Sequence, residues 1–224
     1  NIINFSSLPL SRQVKATADV YPQTNKSVRT EFYTKFCCRS SPLKELESIY
    51  NIAKYNLSNR HSYSKVIGLE GEGGIGKSRL IYEFMGRLTK TSQSNILKIA
   101  YEDKNNLLFK NDLAEIRDIF YKKILEENNK KLPFVIILED LHWFDTKEIT
   151  KVEKLLFGFS GELPFPNVLS AIFVLSYRNS QSIRRIKNFD NFEEINLNLF
   201  NEKESNEFIL KSLVVKNFRL NEGT

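Results

Sequence analysis

Residues 71–78 read Gly-Glu-Gly-Gly-Ile-Gly-Lys-Ser, and this stretch decides the fold. Its glycines give the backbone access to positive φ angles, so that peptide N–H groups can turn towards a bound anion. The apolar residues 66–69 before it are predicted to form a buried strand, and apolar residues at helical spacing follow it. Strand, glycine-rich loop and helix in this order are the arrangement that a phosphate-binding loop requires. The sequence therefore predicts such a loop between the first strand and the helix.

Each part of this loop has a predicted task on a nucleoside triphosphate. The loop backbone is predicted to cradle the phosphates, and the Lys77 side chain is predicted to reach the β and γ phosphates. The Ser78 hydroxyl is predicted to ligate Mg²⁺. The predicted cofactors are therefore ATP and Mg²⁺. The predicted phosphate-binding residues are Gly71, Gly73, Gly74, Ile75, Gly76, Lys77 and Ser78.

A pair of carboxylates follows the most apolar run of the chain. Residues 134–138 are predicted to be a buried strand, and Glu139 and Asp140 come directly after it. Such a strand end lies at the edge of a parallel sheet where ligands bind. Both acids are predicted to be catalytic: Glu139 as a Mg²⁺ ligand, and Asp140 as the group that orients or deprotonates the attacking water. His142 and Trp143 are interpreted as a loop histidine and a packed indole.

Apolar and amphipathic segments alternate along the chain, as in α/β proteins with a parallel sheet. The pattern predicts a three-layer P-loop NTPase fold with a mostly parallel five-stranded sheet. Asp145 and Asn201 are predicted to cap helices, the second helix beginning a helical lid near the C-terminus, and the polar residues 56–64 are predicted to be a loop. The five predicted strands lie at 66–69, 96–100, 134–138, 171–175 and 192–199.

Residues 71–78 and 139–145, the latter reading Glu-Asp-Leu-His-Trp-Phe-Asp, resemble the motifs of the signal-transducing STAND ATPases of the AAA-like P-loop class. Within that class the likeness is to ATPase modules attached to class III nucleotide cyclases, to LuxR- and MalT-type regulators and to some kinases. Residues 176–178, Ser-Tyr-Arg, are similar to the family's Thr-Tyr-Arg. The resemblance implies that Arg178 senses the γ-phosphate and takes part in catalysis.

An entry motif of the same family has a counterpart nearer the N-terminus. Residues 36–39, Phe-Cys-Cys-Arg, together with Leu-Lys-Glu-Leu at 43–46, look like the family's Phe-Val-Gly-Arg and Glu-Leu. Cys38 stands where the family usually has glycine. That segment usually lines the adenine pocket, which implies that Arg39 contributes to nucleotide binding.

The resemblance also divides the chain. Residues 36–200 are predicted to be the ATPase core, and residues 201–224 the beginning of a truncated lid subdomain. Residues 1–35 are predicted to be a linker or the tail of a preceding domain, and residues 8–21 look like the closing strands of a class III nucleotide cyclase. The chain is therefore interpreted as a fragment of a larger protein. Its predicted partners are the other domains of that protein and a second copy of the chain.

Composition and charge bear on the predicted cellular location of the chain and on the kinds of partner it can bind. The 224 residues carry a formal net charge of +6, which attracts phosphates, but no basic patch with interleaved aromatic residues indicates a nucleic-acid partner. No apolar run approaches the roughly 18 residues that would span a bilayer. The two cysteines are adjacent, at Cys37 and Cys38. Neighbouring residues rarely reach relaxed disulfide geometry, so reduced thiols and a cytoplasmic location are predicted.

Three functions are compatible with these motifs. The first is an ATP-binding, slowly hydrolysing regulatory switch of a multidomain signalling protein such as a nucleotide cyclase. The second is a DNA-associated AAA-type ATPase of the origin-recognition kind, which the basic pI of about 9.2 favours. The third is a P-loop phosphotransferase, for which the sequence offers no acceptor pocket. The first is the working hypothesis.

Overall fold

The computed structural model contains one five-stranded sheet with helices on both faces. The structure describes residues 36–92, 96–99, 113–158, 169–178 and 183–215, so the predicted linker at 1–35 lies outside the described residues. The strands are β1 (Tyr63–Glu70), β2 (Ile96–Ile99), β3 (Phe134–Leu138), β4 (Ser170–Tyr177) and β5 (Phe192–Asn196). The α-helices are α1 (Ser40–Ser58), α2 (Lys77–Ser92), α3 (Leu113–Asn129), α4 (Thr146–Gly158) and α5 (Glu202–Val215). Short 3₁₀ helices span Leu141–Trp143 and Ile186–Asn188.

The strand order places three predicted motifs at one edge of the sheet. The order is β2-β3-β4-β1-β5, with every neighbouring pair parallel. Because the strands are parallel, the residues that follow β1, β3 and β4 emerge at the same edge. In the register, Glu70 lies opposite Tyr177 and Leu138 lies opposite Leu175. The predicted three-layer P-loop NTPase fold with a parallel five-stranded sheet is confirmed.

Alternation along the strands builds the two halves of the core. Successive side chains of a strand point to opposite faces, so Val66 packs with α3 and α4 while Ile67 packs with α1 and α2. The same alternation continues on β3, where Ile136 belongs to the first cluster and Ile137 to the second. Strands buried on both faces explain why the runs at β3 and β4 are almost wholly apolar.

The predicted loop at 56–64 is wrong at both ends. Helix α1 continues to Ser58 because Leu57 still packs into the core. Strand β1 begins at Tyr63, whose N–H donates to the Leu169 carbonyl next to β4. The polar composition of residues 56–64 therefore predicted where α1 connects to β1, but the predicted loop was too long.

Two helix starts carry reciprocal capping contacts, as predicted. The Asp145 carboxylate accepts from the Glu148 N–H at 2.8 Å, and the Glu148 carboxylate accepts from the Asp145 N–H at 2.8 Å. Asn201 and Glu204 form the same pair of bonds at 2.9 Å. Both are capping boxes, which satisfy backbone donors that a helix N-terminus otherwise leaves without partners. The predicted N-caps at Asp145 and Asn201 are confirmed.

Replacing Gly68 with alanine is expected to destabilise the fold by about 1–3 kcal/mol, the range for overpacking a core. A Cβ at Gly68 would lie 2.6 Å from both Phe192 Cζ and the Tyr177 hydroxyl oxygen. Tyr177 is buried and its hydroxyl donates to Glu194, so it has little room to move. Urea denaturation of Gly68→Ala against wild type measures the change; equal midpoints would contradict this close packing.

Candidate functional site

The loop between β1 and α2 has the conformation that its glycines predict. Gly74 and Gly76 have φ angles of 79° and 104°, which strain any residue with a side chain. No heavy atom lies within 4 Å of a Cβ built on either residue, so backbone conformation rather than space requires glycine there. Glu72, Gly73 and Gly74 are exposed. The loop therefore presents its backbone to solvent at the N-terminus of α2, where the helix dipole favours an anion.

Lys77 lies against this loop and is only 7% exposed. Its ammonium donates to the carbonyl oxygens of Gly71 at 2.5 Å and Glu72 at 2.9 Å. Burial lowers the pKa of the Lys77 ammonium, the Asp140 carboxylate opposes that change, and the Arg178 charge adds to it. Lys77, Asp140 and Arg178, which follow three different strands, are therefore close enough for their charges to act on one another.

Arg178 reaches the loop from the end of β4. Because β4 is the neighbour of β1 and Tyr177 lies opposite Glu70, the next residue arrives beside the loop. A Cβ on Gly73 would lie 2.7 Å from Arg178 Nη2, so the guanidinium lies directly over the loop backbone. The structure thus brings Arg178, the implied γ-phosphate sensor, to the predicted phosphate-binding residues.

The two carboxylates after β3 have opposite environments. The Glu139 side chain is 5% exposed, and its Oε2 lies 2.7 Å from Lys98 Nζ on β2. Its Oε1 is buried and has no hydrogen-bond partner within the described parts of the chain. The Asp140 side chain is 43% exposed. Glu139 is therefore a paired, interior charge, whereas Asp140 faces the open edge near Lys77.

The backbone at Asp140 is held in an uncommon conformation. Its φ of 58° is left-handed, a region that aspartate and asparagine tolerate better than most residues. Its N–H donates to the buried hydroxyl oxygen of Ser176 at 3.0 Å. Ser176 of the Ser-Tyr-Arg motif thus fixes the turn that separates the two carboxylates. Such strained backbone is typical of functional sites.

His142 belongs to the same cluster, which the sequence did not reveal. Its Nδ1 lies 4.0 Å from Asp140 Oδ1, and neither ring nitrogen has a hydrogen-bond partner among residues that the structure describes. Burial lowers the pKa of the imidazole, Asp140 opposes this, and Arg178 and Lys77 lower it further. The prediction of a packed indole next to it is wrong. Trp143 is 56% exposed, because Leu141 takes the core position of this short 3₁₀ turn.

Arg39 lies between the loop and the segment that joins β5 to α5. Its Nη2 donates to the carbonyl oxygens of Ile75 at 3.3 Å and Asn198 at 2.6 Å, and its guanidinium lies 4.4 Å from the Phe200 ring centroid. Arg39, which the resemblance assigned to nucleotide binding, thus contacts two backbone carbonyls and an aromatic ring of the protein itself. Cys38 before it has a φ of 62°, a left-handed conformation that glycine adopts more readily than residues with a side chain.

A divalent cation would find oxygen donors at two predicted residues. Ser78 is half-buried at the start of α2, and Glu139 Oε1 is the buried carboxylate oxygen without a hydrogen-bond partner in the described ranges. Oxygen donors of this kind suit Mg²⁺. Within those ranges no group of three or more His, Cys, Asp or Glu residues could hold a metal. Phosphate oxygens and water would have to complete the coordination, as is usual for Mg²⁺ at phosphates.

Together, the glycine loop after β1, the insertion of β4 between β1 and β3, and the acidic end of β3 define a P-loop NTPase-like fold. Aeropyrum pernix ORC2, solved in ADPNP and ADP complexes, matches with a TM-score of 0.60 and 14% identity over 84% of this chain. A chain of the Escherichia coli MS115-1 HORMA:CdnC:Trip13 complex matches with a TM-score of 0.52 and 10% identity, covering 80% of this chain and 68% of that one. At these identities the likeness shows the fold alone.

This chain spans about half of the ORC2 chain, 55% of its length. No protein-family model and no curated protein matches the sequence. Among the described helices, none is both long and apolar enough to cross a membrane.

Proposed function

We propose that this domain binds ATP with Mg²⁺ and acts as a slowly hydrolysing regulatory switch of the STAND kind in a larger signalling protein. The observation that carries the proposal is the convergence of Lys77, Asp140 and Arg178, which follow three different strands, at one glycine-rich loop. Two cations and an exposed carboxylate around open backbone N–H groups suit a triphosphate and the water that attacks it.

In the proposed complex the loop backbone and Lys77 hold the β and γ phosphates. Arg178 contacts the γ-phosphate, since its guanidinium already lies over Gly73. Asp140 orients the attacking water, because its side chain is the exposed carboxylate of the pair. Ser78 and Glu139 hold Mg²⁺, which when bound neutralises charge on the phosphate oxygens. Slow hydrolysis is expected because Lys98 already neutralises Glu139.

The switch is proposed to act through Arg39. Its guanidinium joins the Ile75 carbonyl of the loop to the Asn198 carbonyl before α5, so a change in the loop on nucleotide binding is transmitted towards α5. Residues 36–200 are the core in this proposal, and residues 201–224 begin a lid. Ordering of such segments by the γ-phosphate is a common switching device. The effector in this proposal is another domain of the same protein, such as a nucleotide cyclase.

Nucleotide titration tests this proposal directly. We expect the purified domain to bind a fluorescent ATP analogue, to release it on addition of ATP or ADP, and to hydrolyse ATP slowly. Limited proteolysis near α5 is expected to differ between the ATP and ADP complexes, because only ATP offers a γ-phosphate to Arg178. Absence of binding at millimolar ATP would overturn the proposal. Identical proteolysis of the ATP and ADP complexes would contradict the switching role.

A second candidate, a DNA-associated ATPase of the origin-recognition kind, is favoured by the net charge of +6. Such a protein binds duplex DNA with an affinity that falls steeply with salt. We expect no such binding, because charge alone is weak evidence for a nucleic-acid interface. Fluorescence anisotropy with labelled DNA over a range of salt concentrations decides between the two.

A further inference from the structure

A lysine side chain is buried on β2, an edge strand of the sheet. Lys98 lies on β2, next to β3, and its side chain is 8% exposed. Its Nζ lies 2.7 Å from Glu139 Oε2 and donates to the Tyr82 hydroxyl oxygen at 2.9 Å. The Tyr82 ring centroid is 4.2 Å from the same nitrogen. The ammonium is therefore held between the first acidic residue after β3 and an aromatic residue of α2.

Lys98 and Glu139 form a buried ion pair, since their side chains are only 8% and 5% exposed. A buried ion pair of this kind is strongly destabilised when one partner is removed, because the other charge is left without compensation. Lys98 thus places its ammonium directly at the carboxylate that the proposed function assigns to Mg²⁺.

The two oxygens of Glu139 are used unequally. Oε2 is taken by Lys98, while Oε1 is buried and lacks a hydrogen-bond partner among the described residues. A divalent cation at Oε1 would bind a carboxylate whose charge is already compensated and would be repelled by the nearby ammonium. Both effects weaken binding of the cation relative to a free carboxylate.

We infer that Lys98 is a built-in cation that competes with Mg²⁺ for Glu139 and makes nucleotide binding by this domain nearly independent of Mg²⁺. The inference rests on the proposed function, since it concerns the same nucleotide site. Lys98 is a positioning residue: it acts on the metal site through Glu139 and does not touch the nucleotide. The site then retains ATP when Mg²⁺ is scarce, with Lys77, Arg178 and the loop backbone as the principal phosphate ligands.

The test measures nucleotide affinity rather than turnover. For wild type, we expect ATP affinity in Mg²⁺ and in EDTA to differ by less than about tenfold, the lower end of the effects of groups beside a metal site. For Lys98→Met, we expect the Mg²⁺ concentration that half-saturates the nucleotide complex to fall by about tenfold. Titration of a fluorescent ATP analogue with Mg²⁺ measures both. If the ATP affinity of the wild-type protein depended strongly on Mg²⁺, that result alone would overturn the inference.

Matched variants separate this effect from a loss of folding. Lys98→Arg keeps the charge and is expected to keep the wild-type Mg²⁺ dependence. Lys65→Met breaks a different ion pair, Lys65 with Glu193 at 2.6 Å, and is expected to leave Mg²⁺ dependence unchanged. Lys98→Gln is the second neutral variant if thermal melts show that Lys98→Met is unfolded. Unchanged or weaker Mg²⁺ binding in a folded neutral variant would overturn the inference, whereas no ATP binding by wild type would overturn the proposed function itself.

Discussion

Replacement of Lys77 by alanine is expected to weaken ATP binding severely. The ammonium is one of the two cations that lie against the glycine loop, and loss of a buried charged partner costs about 2–5 kcal/mol of binding free energy. That corresponds to an affinity loss of roughly thirtyfold to several thousandfold. The substitution also removes the hydrogen bonds from Lys77 to the carbonyls of Gly71 and Glu72. Titration of a fluorescent ATP analogue, with folding checked by circular dichroism, measures the loss.

Lys90 provides the matched control for this experiment. It lies in the last turn of the same helix, α2, and is exposed. Lys90→Ala removes an equal charge and is expected to bind ATP as wild type does. Lys77→Met, which keeps the aliphatic part of the side chain, is expected to behave like Lys77→Ala. Unchanged ATP affinity in a folded Lys77 variant would contradict the central claim about this site.

Replacement of Asp140 by asparagine is expected to leave ATP binding nearly unchanged and to slow hydrolysis by about 10²–10⁴-fold, the usual contribution of a general acid or base. Asparagine tolerates the left-handed φ of 58° at this position. It also keeps the backbone N–H that donates to Ser176. The variant therefore removes the carboxylate charge without straining the turn. Single-turnover ATP hydrolysis, measured with the enzyme in excess, reports the change.

Asp145→Asn is the control with the same chemical change. Asp145 caps α4, and asparagine is as good a cap as aspartate, so both folding and hydrolysis are expected to persist. Alanine at position 140 would be a poorer test, because it would also disturb the left-handed turn. Wild-type hydrolysis by a folded Asp140→Asn would assign the role of the base to another residue.

Much of the fold could be predicted from local patterns. Apolar runs separated by amphipathic segments indicated the five strands, and glycines next to Lys77 indicated the loop. These signals are local, since they depend on backbone conformation and burial within one segment. The caps at Asp145 and Asn201 were predictable for the same reason. Element ends were less predictable, as α1 and β1 show, because packing against distant residues extends both.

Contacts between segments distant in sequence could not be predicted in this way. Lys98 was visible as the only charged residue in β2, but its pairing with Glu139, which follows the neighbouring strand β3, depends on the sheet order. His142 was interpreted as an ordinary loop histidine because Lys77 and Arg178, which complete the cluster with Asp140, are distant from it in sequence. The role of Arg39 was inferred from resemblance alone, and its contacts with Ile75 and Asn198 depend on the packing of three segments.

The sequence by itself determined that a glycine-rich loop follows a buried strand and that two acids follow another. Tertiary structure alone decided how the two acids differ. Parallel pairing of β2 with β3 buries Glu139 against Lys98, whereas the left-handed turn exposes Asp140 towards Lys77. Parallel pairing of β1 with β4 brings Arg178 to the loop. The physical reason is that hydrophobic and backbone signals act along the chain, while charges find their partners only after the strands are ordered.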